Sequence, residues 1–261
     1  MDARATRMAL VELVGVFGLV FFSAGVVCVN QLTTSSSQQA GVAPLTLHQP
    51  GVFGVALVQG LILAVMLALT VPVSGGYLNP AITMTQWAFG RLDSRRAGIL
   101  VCAQVLGAVL AGGCLHFIVD AEVLRAAHHG APHVNALTYP FLNQSTVIAG
   151  SLVELLLTFF LAFAIFAALG SPGDPLRTGV LPGMVQTAAV LVGFPLTGAA
   201  LNPVRWFGPV LWDSVSGASG NPWADFLVYL SGPVLGTLLA ALFCGRVMAT
   251  PPEAAPSHGK K

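Results

Sequence analysis

Six stretches of the chain hold almost nothing but apolar side chains: residues 8–29, 52–73, 97–119, 147–169, 179–196 and 226–244. Each is close to the length of about 20 residues that a helix needs to cross a bilayer. Glu12 is the only charge in the first stretch and Glu154 the only one in the fourth; the other four carry no Asp, Glu, Lys or Arg. The first stretch is too long for a signal-peptide core and lacks a small-residue cleavage site, so it reads as a retained span. Two more apolar segments, 74–91 and 197–212, open on glycine-bearing turns and are too short to cross. Backbone that leaves the helix at membrane depth is tolerated only where protein buries it or where it lines a cavity. Function is therefore to be sought in these two re-entrant segments.

Composition agrees. Hydrophobic residues make up 55% of the 261 and charged residues 8%, with a mean hydropathy of +0.81, whereas a soluble domain carries about 25% charge. A net charge of +1 without a basic run excludes a nucleic-acid-binding or disordered chain. Cys28, Cys102, Cys114 and Cys244 form no CxxC pair, so neither a disulfide framework nor a zinc site is expected. Arg4, Arg7, Arg91, Arg95, Arg96, Arg177, Arg246, Lys260 and Lys261 all fall on one side of a six-span topology; Arg125 and Arg205 fall on the other. The positive-inside rule then predicts that both termini are cytoplasmic. Residues 1–249 read as a single domain, and 250–261, rich in Pro and Ala, as a disordered cytoplasmic tail.

The two halves, about 8–119 and 147–247, repeat each other. Val11-Glu12-Leu13 is matched by Val153-Glu154-Leu155, and Ser74-Gly75-Gly76-Tyr77-Leu78-Asn79-Pro80-Ala81 by Thr197-Gly198-Ala199-Ala200-Leu201-Asn202-Pro203-Val204. Three spans per half is an odd number, so the second copy enters the bilayer inverted, an architecture of transport proteins. Asn is a strong N-cap and Pro is favoured at the first helical position. Each pair therefore starts a short half-helix, over 79–89 and 202–212, and inversion brings the two N-termini nose to nose at the midplane. Each end contributes about half a positive charge there. That repels cations, while the Asn amides remain as donors that turn a water's hydrogens along the axis and interrupt a proton wire.

These residues resemble the major intrinsic protein family, the aquaporins and glycerol facilitators, from Glu12 to Gly236. The resemblance implies an all-α membrane fold of six helices and two re-entrant half-helices, assembled as a homotetramer with one pore per subunit. It implies a pore region of Asn79, Pro80, Ala81, Asn202, Pro203 and Val204, the last in place of the usual Ala. It places an outer constriction at Gln59, Val190, Ala199 and Arg205, and gives Glu12 and Glu154 a scaffold role in holding the re-entrant loops. Water-selective members usually carry an aromatic residue and a His where Gln59 and Val190 stand. The filter thus points to a wider pore for small neutral solutes, hydrogen peroxide, glycerol, urea and boric acid, as well as water. Alternatively Gln59 refills the gap and the pore is water-selective. The filter, with Val71-Pro72-Val73-Ser74-Gly75-Gly76, is similar to the X intrinsic proteins of plants and fungi.

Other features have plainer readings. Gly232 and Gly236 form GxxxG, a helix-packing motif, with Gly60 and Gly107 in a similar role. His128, His129 and His133 read as a solvated loop rather than a metal site or a pH sensor, and no metal or cofactor is expected. Asn143-Gln144-Ser145 is a glycosylation sequon close to the membrane. Ser94, between Asp93 and Arg95, is a weak phosphorylation candidate. No GxSxG, HExxH or paired Asp suggests an enzyme. A coupled transporter would need acids on its pathway, and the two available occupy scaffold positions. Plasma membrane is the expected location.

Overall fold

The computed structural model describes residues 3–39, 50–135, 146–169, 174–217 and 220–248, excepting the side chains of 34–39 and 248. Nine α-helices run through these residues: α1 (Ala3–Gln39), α2 (Gly51–Ser74), α3 (Pro80–Ala88), α4 (Ser94–Ile118), α5 (Ala121–Ala126), α6 (Thr146–Ala168), α7 (Leu181–Thr197), α8 (Pro203–Val215) and α9 (Phe226–Phe243). A π-helical turn, Leu176–Val180, leads into α7. Helices α1, α2, α4, α6, α7 with its leading turn, and α9 are long and apolar enough to span a membrane. The half-helices are α3 and α8. The architecture is the one expected, with three differences. Helix α1 continues past its apolar stretch, because no Gly or Pro follows Gly25 before Gln39. Helix α8 runs to Val215 rather than 212 and stops ahead of Gly217 in the left-handed region. The segment after α4 holds the short helix α5, capped by the Asp120 carboxylate on Glu122 N–H. The sequon at Asn143 and the tail 250–261 lie outside the described residues.

In a bilayer apolar burial gives helices little reason to associate, so close backbone approach and van der Waals packing carry the bundle. The helix pairs α1–α4 and α6–α9 are packed in the same way. A Cβ on Gly107 would overlap the Leu13 carbonyl oxygen, and one on Gly236 would come within 2.5 Å of the Leu155 carbonyl oxygen. Helices α2 and α7 meet reciprocally. A Cβ on Gly60 would lie 2.5 Å from the Gly183 oxygen, and one on Gly183 would lie 2.6 Å from the Gly60 oxygen. That contact is its own mirror partner, as expected where two inverted copies face each other.

The re-entrant loops hang on two carboxylates. Glu12 on α1 is fully buried. Its Oε1 accepts from the Ser74 hydroxyl (2.6 Å) and Tyr77 N–H (3.0 Å), and its Oε2 from Leu78 N–H (2.7 Å) and the Gln104 amide (2.8 Å). Glu154 on α6 repeats the pattern, with Oε1 accepting from the Thr197 hydroxyl (2.6 Å) and Ala200 N–H (3.0 Å) and Oε2 from Leu201 N–H (2.8 Å). The loops can reach them because Gly75 and Gly198 end their helices in the left-handed conformation. Leu78 and Leu201 then take φ of 50° and 54°, which a β-carbon makes costly.

Two stability predictions follow from this packing, each read as the thermal midpoint of the purified protein in detergent. Gly107→Ala lowers the midpoint, by an overpacking cost of about 1–3 kcal/mol. Gly98→Ala, in the same helix with open space around it, leaves it unchanged or raises it; equal effects at the two positions would refute the packing account. Glu154→Gln replaces one acceptor oxygen by a donor and destabilises by about 1–3 kcal/mol. Glu12→Gln costs more, since Leu78 N–H and the Gln104 amide both converge on Oε2. A Glu154→Gln midpoint equal to wild type would count against the anchoring role.

Candidate functional site

Asn79 and Asn202 sit in extended backbone immediately before their half-helices, and each side-chain oxygen caps its own helix, Asn79 on Ala81 N–H and Asn202 on Val204 N–H. With the oxygens so engaged, the amide groups point across the junction. Asn79 Nδ2 donates to the Leu201 carbonyl at 2.9 Å, and Asn202 Nδ2 to the Leu78 carbonyl at 2.8 Å. The two motifs are thus tied to each other by a crossed pair of bonds. An amide carries two hydrogens, so one from each Asn remains for whatever lies beside it. What lies beside both is a cavity of about 30 Å³, against the 10–15 Å³ or so needed to hold one water. Its lining combines apolar side chains, Leu19, Leu63, Ile82, Leu161 and Ile165 among them, with the polar Asn79, Asn202, Gln186 and Arg205. Pro80 and Pro203 occupy the first helical turn, while Ala81 and Val204 are buried behind the Asn residues rather than on the cavity wall.

Arg205 lines this cavity and also a wider vestibule of about 270 Å³ at one mouth. Its guanidinium makes no ion pair with a carboxylate among the described residues. It donates to the Gly130 carbonyl at 2.8 Å and the Ser23 carbonyl at 3.3 Å, and its Nε has no partner among the described residues. The Gly130 carbonyl is available because a 3-10 turn, His128–Gly130, presses against α1 so closely that a Cβ on Gly130 would overlap Ala24. The other three expected filter residues, Gln59, Val190 and Ala199, are fully buried and line neither the lumen nor the vestibule. Both amide atoms of Gln59 are nonetheless without a hydrogen-bond partner among the described residues. Ala199 holds φ of 50°, where the first half has Gly76 at 65°.

The histidines are not a solvated loop. His129 is buried, with Nδ1 at 3.0 Å from Asp213 Oδ1, and its Nε2 lies within 3.4 Å of His116 Nδ1 and 3.2 Å of the Ser216 hydroxyl. His128 reaches the other Asp213 oxygen at 3.4 Å, and His133 lies 3.5 Å from Asp225. The Asp213 carboxylate raises His128 above the usual histidine range, against partial burial that pushes it down. The loop is pinned because α8 presents a buried acid at its far end. Sequence reasoning passed over Asp213, as it did Gln104, which holds Glu12, and Gln186, which lines the lumen. A signal existed: each is an isolated polar residue in an apolar helix, where such groups are expected to have partners. Ser94, also singled out, accepts a hydrogen bond from the Trp87 indole at 2.9 Å at the start of α4.

Comparison with known proteins places this geometry. The sequence model of the family described as Major intrinsic protein matches residues 2–244. The chain is 36% identical to Aquaporin TIP4-4 of Zea mays over 243 residues, 92% of this chain and 86% of that protein. It is 30% identical to Aquaporin AqpM of Methanothermobacter thermautotrophicus over 242 residues, 91% of this chain and 95% of that one. Among solved structures, the aquaglyceroporin from Plasmodium falciparum superposes with a TM-score of 0.75, covering 94% of this chain and 97% of that one at 20% identity, which speaks for the fold. With the family model spanning nearly all the described helices and the Asn-Pro junction formed at their centre, the chain belongs to the major intrinsic protein family.

Proposed function

We propose that this aquaporin-type channel passively conducts water together with small uncharged solutes, with hydrogen peroxide, glycerol, urea and boric acid as the candidates, and turns back ions and protons. The observation that carries the reading is the crossed Asn79–Asn202 junction beside a narrow, largely apolar lumen. A water there can accept from the two remaining amide hydrogens, and the many apolar side chains in the lining leave it few other partners. Its own hydrogens then lie along the axis, so a proton cannot be relayed through it. The half-helix ends add about half a positive charge each, and Arg205 adds a full one nearby, so a cation meets repulsion at both places.

For the solute range, the support is the chemistry of the four filter positions. Val190 and Ala199 offer no donor and little bulk. Arg205 lines the lumen, and its unpartnered Nε is a polar atom whose burial costs about 1–3 kcal/mol until something bonds it. A passing hydroxyl or urea group supplies that bond. A second reading, a water-selective pore, is favoured by the small lumen volume. Coupled transport has less behind it, because both intramembrane acids are engaged with loop donors. In this reading residues 1–249 act as one channel domain, one subunit of a homotetramer in the plasma membrane. Both termini are cytoplasmic, so the histidine-bearing vestibule is extracellular.

Stopped-flow swelling of proteoliposomes tests these readings. Wild-type protein is expected to raise water, glycerol and urea permeability above that of empty vesicles, and Gln59→Ala to change glycerol flux little. High water flux with no glycerol flux until Gln59→Ala is made would select the water-specific reading; no flux of any solute would refute both. Arg205→Val is expected to let protons or small cations leak, by tenfold or more if the lost charge is worth about 1.4 kcal/mol of barrier. A pH-sensitive dye inside the vesicles reads this, and unchanged proton tightness would remove Arg205 from the exclusion mechanism.

A further inference from the structure

The vestibule mouth holds a cluster that the conduction pathway does not use. His128, His133 and Asp213 each offer one ligand atom, and these atoms all lie within 4.8 Å of one another. Ligands bound to a tetrahedral zinc at about 2.0–2.1 Å stand about 3.3 Å apart, and His128 Nδ1 is already 3.4 Å from Asp213 Oδ2. Two further observations point to a ligand. His133 Nε2 is buried and has no hydrogen-bond partner among the described residues, although a buried imidazole nitrogen ordinarily has one. Two of the three groups are also backed from behind. His133 presents Nδ1 to Asp225 Oδ2 at 3.5 Å, and Asp213 is fixed through its other oxygen by buried His129 at 3.0 Å. A carboxylate behind a histidine orients the ring and raises its basicity as a metal ligand.

We propose that His128, His133 and Asp213 form a site for a divalent transition-metal cation, zinc by its ligand set, and that an ion held there obstructs the vestibule. Two nitrogens and one carboxylate oxygen suit zinc and its neighbours; Mg²⁺ and Ca²⁺ prefer all-oxygen surroundings. Three protein ligands leave a fourth position open, and His128 and His133 line the same vestibule as Arg205. A hydrated ion there therefore stands in the approach to the lumen. Arg205 opposes a cation, but Asp213 and Asp225 together carry two negative charges against its one, and its guanidinium is turned onto the Gly130 and Ser23 carbonyls. The binding part stands independently of the channel reading; the obstruction part rests on it.

Titration calorimetry of the full chain in detergent with ZnCl₂ tests the site. The expected result is one ion per chain, no comparable heat with MgCl₂, and affinity at least tenfold weaker in His128→Gln and in His133→Gln. His133→Cys keeps a zinc ligand and is expected to retain binding, which separates loss of the ligand from misfolding. In proteoliposomes, the ratio of water flux with and without external ZnCl₂ should fall below one for wild type, recover with EDTA, and stay near one in both Gln variants. Binding unchanged by either Gln substitution, equal binding of Mg²⁺, or loss of binding in His133→Cys would overturn the site. Binding without any change in flux would overturn the obstruction. Absence of both flux and zinc-dependent effects, with binding intact, would fault the channel reading instead.

Discussion

A peptide group that leaves the helix inside hydrocarbon has no water to turn to, and each unmet one costs several kcal/mol. Everything distinctive in this molecule depends on how that constraint is met at the two re-entrant loops. The answer is a single buried carboxylate per loop. Glu12 gathers two backbone N–H groups, a hydroxyl and an amide; Glu154 gathers two backbone N–H groups and a hydroxyl. A carboxylate is an unfavourable thing to bury, but one that accepts several charge-assisted bonds recovers much of that cost. Acid and loop are each intolerable alone and acceptable together.

That anchoring sets the rest of the geometry. Because the N–H groups of Leu78 and Leu201 point back at their carboxylates, the chain must turn through the left-handed region at both leucines, and their carbonyls come to face the opposite loop. The carbonyls then receive the amides of Asn202 and Asn79. The strain at two non-glycine residues is therefore part of the junction's construction. The halves reach the same end by different routes: Ala199 stands where Gly76 does, and Gln104 adds a fourth donor to Glu12 that Glu154 lacks.

The sequence showed most of the scaffold. Six apolar runs, the recurring Glu and the duplicated Asn-Pro pairs are local patterns, and they correspond to helices α1–α4 and α6–α9. Partners far away in the chain were not legible. The 92 positions that separate Gln104 from Glu12 carry no trace of their bond, nor does anything near His129 announce Asp213, 84 positions on. Gly183 was overlooked although its counterpart Gly60 was noticed, because one glycine in an apolar helix gives no sign of facing another until the helices are laid together. Counting from the motifs located Gln59, Val190 and Ala199 in the chain, but counting cannot say how far their side chains withdraw from the lumen.

The crossed amide–carbonyl pair joins residues 122 and 124 positions apart, and each bond takes its donor from one repeat and its acceptor from the other. Neither repeat can finish its own loop. While the ribosome is still delivering the second half, the first has a cap whose amide lacks its acceptor and a strained leucine whose carbonyl lacks its donor. The centre of the pore is therefore complete only when both repeats are present, and a chain truncated after its third span would hold a polar wound at the middle of the bilayer that only a complementary half could close.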